Sequence, residues 1–201
     1  MRRALAIDAD MILRFLTNDD PDKAEACAAL LEKACMCALA LQVGTVHSKG
    51  GMSRHMKVAL AIIRVAGNKV QNLSAMLEAI HEAAKNKADL VVFGEAVLTG
   101  LINNDDPTHD IRIGEPVPGP TVGVLGQFAK DAGIYVAAGM LERDGNCLYD
   151  TAVLIGPDGQ VVLKYRRITP GWHGPNADSS VYRQGVSPSP GWRPHWARLP
   201  S

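Results

Sequence analysis

The stretch that most constrains the fold runs from Lys57 to Phe93. A β-rich apolar run, KVALAIIRV, is followed from about Asn68 by Val70, Leu73, Leu77, Ile80 and Ala84 at alternating spacings of three and four. The compact apolar run LVVF (Leu90 to Phe93) comes next. The outer pieces read as strands and the middle as an amphipathic helix with one face to bury. Such an order belongs to a sheet layered with helices.

The following residues extend this layer. A loop holds NNDDPTHD and GEPVPGP, and a second short helix carries Val124, Leu125 and Phe128 and ends at Gly133. The strand IYVAAGM then joins YDTAVLIG through the turn RDGN, and a PDG turn folds that strand back onto QVVLKYRR. The predicted order is β-α-β-loop-α-β-β-β, an α/β fold.

The ends are less regular. Residues 1–34 predict a short strand at Ala4 to Ile7 and then a helix starting at Asp20-Pro21, with Leu30 and Leu31 on its buried face. Residues 35–55 read as a linker: CMCALALQVG could form a strand, but TVHSKGGMSRH is aperiodic and rich in Gly, Ser and His. The domain proper spans 56–185. The tail, 186–201, holds four of the chain's 12 prolines and two of its three tryptophans, and it predicts no regular element.

Composition narrows the function classes. Lys plus Arg and Asp plus Glu number 21 each, so the formal net charge is zero and no nucleic-acid partner is expected. No apolar run approaches the roughly 20 residues that span a bilayer, so no membrane association is expected. Met1-Arg2-Arg3 meets aspartates within a few positions, which argues for a strand over a signal peptide. Cys27, Cys35, Cys37 and Cys147 have no zinc spacing and read as free thiols in a reducing cytoplasm. His47, His55, His81, His109, His173 and His195 show no metal-ligand spacing, and no Gly-rich phosphate loop follows a strand. Neither a metal nor a cofactor is expected.

Two residues stand where chemistry is done. Glu95 follows the C-terminal end of the LVVF strand, where open α/β sheets place their ligand crevices. Lys164 lies at the end of the run QVVL, again at a strand end. A carboxylate and an ammonium so placed could share a pocket and shift each other's pKa. The plain alternatives are a solvated loop glutamate and an exposed edge-strand lysine. Trp172 and His173, after TPG, read either as lining a substrate pocket or as loop residues covering the sheet.

Three segments together, FGEAVLTG, YDTAVLIGPDG and KYRR, resemble the nitrilase superfamily of carbon–nitrogen hydrolases, and the resemblance is continuous from about Met56 to Gly185. It implies a four-layer α-β-β-α sandwich, of which this chain would form a part, and a Glu-Lys-Cys catalytic set acting on a small amide, a nitrile or an N-carbamoyl compound. By that match Glu95 is the general base that takes the thiol proton, and Lys164 stabilises the developing oxyanion. Asp178 takes the place of a second acidic residue, where Glu is usual and would reach further. Gly94 stands where the family often has proline.

The resemblance also implies a nucleophilic cysteine on a later strand, after a segment like G-x-x-I-C, and no such segment occurs. Cys147 lies in a hairpin loop ahead of Lys164, and the other three cysteines precede the matching region. The expectation is therefore a chain truncated before its nucleophile, without hydrolase turnover, whose tail derives from another reading frame. A missing later half would also leave open sheet edges, making oligomers or marginal stability an expected outcome.

Residues 1–34 resemble the opening strand and helix of PIN-domain ribonucleases. That match puts Asp8 at a metal-binding aspartate and Asp10 where asparagine is common. A magnesium site needs several carboxylates from distant parts of such a fold, and the rest of that domain is absent. The leading expectation is thus a carbon–nitrogen hydrolase chain acting on a small amide or nitrile. A catalytically inactive chimera is the alternative, and a metal-dependent ribonuclease fragment is the remote one.

Overall fold

The computed structural model describes residues 39–47, 55–100, 105–168, 173–174 and 176–186. Among these residues six strands form one sheet in sequence order. β1 (Leu39–His47) runs antiparallel to β2 (His55–Ile63), and β2, β3 (Leu90–Phe93) and β4 (Tyr135–Asp144) are parallel. β5 (Cys147–Ile155) and β6 (Val161–Arg166) complete an antiparallel meander. Parallel neighbours need crossover connections, and helices supply both of them. These are α1 (Lys69–Lys85), between β2 and β3, and α3 (Pro120–Ala132), between β3 and β4. The short α2 (Pro107–Ile113) lies within the loop predicted between them.

β1 occupies residues assigned from sequence to a linker. Its apolar run LALQV lies beside the edge of β2, and antiparallel pairing from Leu39 opposite Ile63 to His47 opposite His55 satisfies both backbones.

Each helix ends where its local chemistry dictates. Asn68 caps α1 by accepting the Val70 N–H at 2.8 Å, and Gly133 ends α3 with φ at +67°, a conformation that glycine adopts without steric cost. Gly119 offers α3 no capping side chain, so Glu115 does this from the preceding loop, accepting the Thr121 N–H at 3.3 Å. Lys69 of α1 holds that carboxylate from the other side at 2.9 Å.

Both helices pack on one face of the sheet. Met76, Ile80, Leu125 and Ala129 meet Ala59, Val91, Val136 and Val153, all buried. The buried stripe of α1 is Asn72, Met76, Ala79, Ile80 and Ala83; of the stripe expected from apolar spacing, Ile80 belongs to it and Leu73 and Leu77 pack, partly buried, against the core. Val70 is 75% exposed. The discrepancy has a physical cause in Asn72. Its amide donates to the Ala66 and Leu98 carbonyls and accepts the Ala66 N–H, so a polar residue is satisfied in a position that apolar counting passes over. Likewise Val122, Leu125 and Ala129 are the buried apolar side chains of α3, while Val124 and Phe128 are partly exposed.

The opposite sheet face is covered at one end, where Leu141, Leu148 and Tyr182 pack with Ile111 and Ile113 of α2 and with Val181. Elsewhere it carries half-buried apolar residues such as Leu60, Val92 and Leu154. Helix layer on sheet layer is thus one α-β half of the expected sandwich. Among the described residues no helix is long and apolar enough to cross a membrane. The strand and helix expected in residues 1–34, and most of the tail, lie outside the described residues.

Candidate active site

The site grows from the C-terminal end of β3. The chain turns immediately after Phe93, and Ala96 takes a left-handed conformation with φ at +47°. Such a conformation is costly for a residue with a side chain and persists only when its surroundings enforce it. Here the turn is anchored from within. Ala96, Val97, Leu98 and Thr99 are buried, Gly100 donates to the Ala96 carbonyl, and the Thr99 hydroxyl accepts the Leu141 N–H at 3.3 Å. The turn crosses β4 directly over Gly139. A Cβ there would stand 2.7 Å from the Ala96 nitrogen and 2.8 Å from the Glu95 Cα. Glycine at 139 is what lets the backbone bearing Glu95 lie on the sheet.

Glu95 is met by Arg167. Its Oε1 accepts a hydrogen bond from Arg167 Nη1 at 2.8 Å, and the same nitrogen lies 3.5 Å from Asp150 Oδ2. The Arg167 N–H donates to the Asp150 carbonyl, so the β5–β6 ladder sets Arg167 opposite Asp150. Cross-strand partners share a face, which directs both side chains to the face where Glu95 sits. Asp150 is buried, whereas Glu95 and Arg167 keep partial access to solvent. Burial, and then the hydrogen bond and charge of Glu95, push the Asp150 carboxyl up to about 7 against the opposing pull of Arg167.

Lys164 is not brought to Glu95, which corrects the expected shared pocket. Its Nζ donates to Glu142 Oε1 at 2.8 Å. Glu142, almost fully buried, also receives Arg166 through Nε at 2.9 Å and Nη2 at 2.7 Å, and the Thr151 hydroxyl at 2.7 Å. Burial pushes the Glu142 carboxyl up, but the hydrogen bonds from Arg166, Lys164 and Thr151 together outweigh it and hold the group below its ordinary value. Arg166 also reaches Asp144 at 2.8 Å and lies 3.7 Å above the Tyr149 ring. The reason is strand parity. Lys164 pairs with Val153 and Arg166 with Thr151, on the helix-covered face, while Tyr165 and Arg167 point the other way.

The other candidates among the described residues meet other groups. Asp178 is exposed and accepts Ser180 N–H at 2.8 Å and its hydroxyl at 2.6 Å, bonds that hold its carboxyl below the ordinary value and shape a turn. His173 sits beside Tyr182, ring centroids 5.7 Å apart, and the Tyr182 hydroxyl donates to buried Asp110 at 2.5 Å. Cys147 Sγ contacts the Ser180 carbonyl at 3.7 Å. It lies three positions from Asp150 on β5, an odd separation that sends it to the other face. Trp172, Asp8, Cys27, Cys35 and Cys37 lie outside the described residues. Among the described residues no group of three or more His, Cys, Asp and Glu could hold a metal ion.

Arg167 and Asp150 are the site residues that sequence reasoning missed. The signal was present in KYRR: residues separated by three positions on a strand face opposite ways, so Lys164 and Arg167 could never serve the same side.

Comparison with known proteins follows the same outline. The carbon-nitrogen hydrolase family model matches residues 57–191. A nitrilase from Pyrococcus abyssi is 39% identical over 99 residues, covering 49% of this chain and 37% of the relative. An omega-amidase from Xenopus laevis is 33% identical over 113 residues, covering 56% of this chain and 40% of the relative. The chain thus spans well under two thirds of the curated relatives it matches. Among solved structures, an amidase from Nesterenkonia sp. aligns with a TM-score of 0.54 at 22% identity, covering 71% of this chain and 54% of that one. The C. elegans NitFhit protein aligns with a TM-score of 0.55 at 16% identity, covering 64% and 33% respectively. A mutant of the Nesterenkonia amidase has been solved in complex with butyramide. Another carries a covalent addition at its active-site cysteine.

Proposed function

This chain belongs to the carbon–nitrogen hydrolase family, and on that premise we propose that it carries the base and the cation of an amide-hydrolysing site, Glu95 and Arg167, without the nucleophile. The observation that carries this reading is the Glu95–Arg167 pair, 2.8 Å apart and open to solvent beyond a parallel strand's C-terminal end. A carboxylate there takes the proton of an attacking thiol as sulfur bonds to the carbonyl carbon. The guanidinium offers N–H donors to the oxygen that becomes negative. Collapse breaks the C–N bond, the proton passes to the departing amine, and water activated by the same carboxylate releases the acid and restores the thiol. Lys164, the cation expected from sequence, is committed to Glu142 and serves the sheet instead.

The substrate class that fits is a short, uncharged amide, as in the butyramide complex of the Nesterenkonia amidase. A reducing, cytoplasmic setting suits thiol-dependent chemistry, and Cys147 is a free thiol. Catalytic silence of this chain follows from the same reading, because strand parity along β5 sends Cys147, three positions from Asp150, to the face opposite the one that bears Glu95. Ammonia release from butyramide tests both. This chain is expected to release none. Turnover that persists in Cys147→Ser but disappears in Glu95→Gln would show that another thiol reaches the site and would overturn the silent reading. Turnover unaffected by Glu95→Gln would overturn the assignment of the base.

A further inference from the structure

We propose that the sheet face turned away from the two long helices is a docking surface for a second copy of this chain, the two sheets meeting face to face. The strand register carries this. Leu60, Val92, Ala137, Leu154 and Leu163 are cross-strand partners in turn, so one apolar row runs across β2 to β6. Val58, Leu90 and Tyr135 form a row on one side of it, and Gly139, Ala152 and Tyr165 a row on the other. Cross-strand partners share a face, as do residues two apart on a strand, so the three rows make one surface. Both long helices pack on the opposite face, and α2 packs at one end, with Leu141 and Leu148. The central row belongs to neither apolar cluster of the described residues. Its members are half-buried, while Ala152 is exposed and Tyr165 keeps 44% of its surface in solvent.

Shape, charge and area select a second copy as the occupant. The surface is five strands wide, roughly 24 Å, and three alternate residues long, roughly 20 Å. A single helix, about 10 Å across, would cover less than half that width. A flat apolar face of the same size matches it, and sheets stack on such faces about 10 Å apart. No charged residue stands in the three rows, and strand parity puts Lys164 and Arg166 on the other face with Glu142. The chain has a formal net charge of zero, so two copies approach without net repulsion. The face offers about 500 Å² per copy, or about 1,000 Å² for the pair, which is the lower bound for a specific interface. The dimer is therefore weak and reversible, with a Kd on the order of 10 µM. The third row includes Gly139, over which the turn bearing Glu95 lies, so the seated copy abuts that turn.

The surface exists whether or not the site hydrolyses amides, so its test reads association and not turnover. Sedimentation velocity of the full chain between roughly 1 and 200 µM should show a monomer passing reversibly into a dimer. Tyr165→Lys and Ala152→Lys each place a charge on the face at a position already open to solvent, so the monomer keeps its fold, as circular dichroism checks. Each should weaken the dimer by about 100-fold or more, because the charge is buried against its own copy. Phe128→Lys, on the exposed side of α3, should leave association unchanged. In a dimer of mixed isotope labelling, methyl contacts between copies should involve Leu60, Val92, Leu154 and Leu163. A wild-type chain still monomeric at 200 µM, whether the face is bare or covered by another part of the chain, would overturn the proposal. So would a dimer that survives Tyr165→Lys and Ala152→Lys but is lost in Phe128→Lys.

Discussion

Arg167 and Asp150 face each other across the β5–β6 ladder, and the guanidinium of Arg167 reaches past Asp150 to hold Glu95 at 2.8 Å. One cation at the end of a strand thereby joins a buried acid to a half-exposed one from a distant turn.

Removing that cation should cost more at high pH than at low pH. Arg167→Ala leaves Glu95 and Asp150 facing each other, a loss of about 1–2 kcal/mol at pH 8 after allowing for the exposure of Glu95. Near pH 4, with Asp150 protonated, the difference should shrink to roughly a few tenths of a kcal/mol. Urea unfolding at the two pH values measures it. Arg167→Lys should recover part of the loss, since a point charge cannot span both acids as a planar guanidinium does.

Asp150→Asn should reverse the usual sense of a lost charge. A carboxyl raised from 3.8 to about 7 contributes stability that is fully present below the lower value and is lost as pH rises through the upper one. The asparagine chain should therefore match wild type near pH 4 and exceed it above pH 7. The gain is on the order of 1–3 kcal/mol once coupling to Glu95 is allowed for. Thermal unfolding across that range tests the sign.

Glu142 obeys the opposite rule. Its carboxyl is held below its ordinary value of 4.5, so the stability it contributes is present above that value and is lost as pH falls through the lowered one. Glu142→Gln should destabilise the chain by about 2–4 kcal/mol at pH 7, because it leaves Lys164 and Arg166 without their shared anion. It should also flatten the acid limb of the stability profile. Glu115, likewise held down by its hydrogen bonds to Lys69 and Thr121 against burial, will keep part of that limb.

Gly139→Ala probes the turn without touching a charge. The added Cβ meets backbone atoms of Gly94, Glu95 and Ala96 within 2.9 Å, and backbone cannot rotate away as a side chain can. A loss of about 1–3 kcal/mol is expected. The Glu95–Arg167 bond should loosen with it, visible as a smaller cost of Arg167→Ala in the Gly139→Ala background than in the wild-type chain.

Local pattern made a good part of the architecture legible. The LVVF strand, the PDG turn and the Gly133 stop each depend on residues a few positions apart, and β3, the β5–β6 connection and the end of α3 fall there. The buried face of α1 was legible only in part, because Asn72 holds its place through bonds to Ala66 and Leu98, partners that spacing does not reveal. β1 needed the free edge of β2 to explain it.

What the sequence determined by itself was an α/β layer and the position of Glu95 at a strand end, since both follow from hydrophobic periodicity and chain order. Which cation meets that carboxylate was decided only in the folded sheet. Strand parity divides KYRR between two faces, and the β5–β6 register sets Arg167, three residues beyond Lys164, across from Asp150. An electrostatic contact depends on distances of a few ångströms, and pairing between distant segments is what fixes those distances.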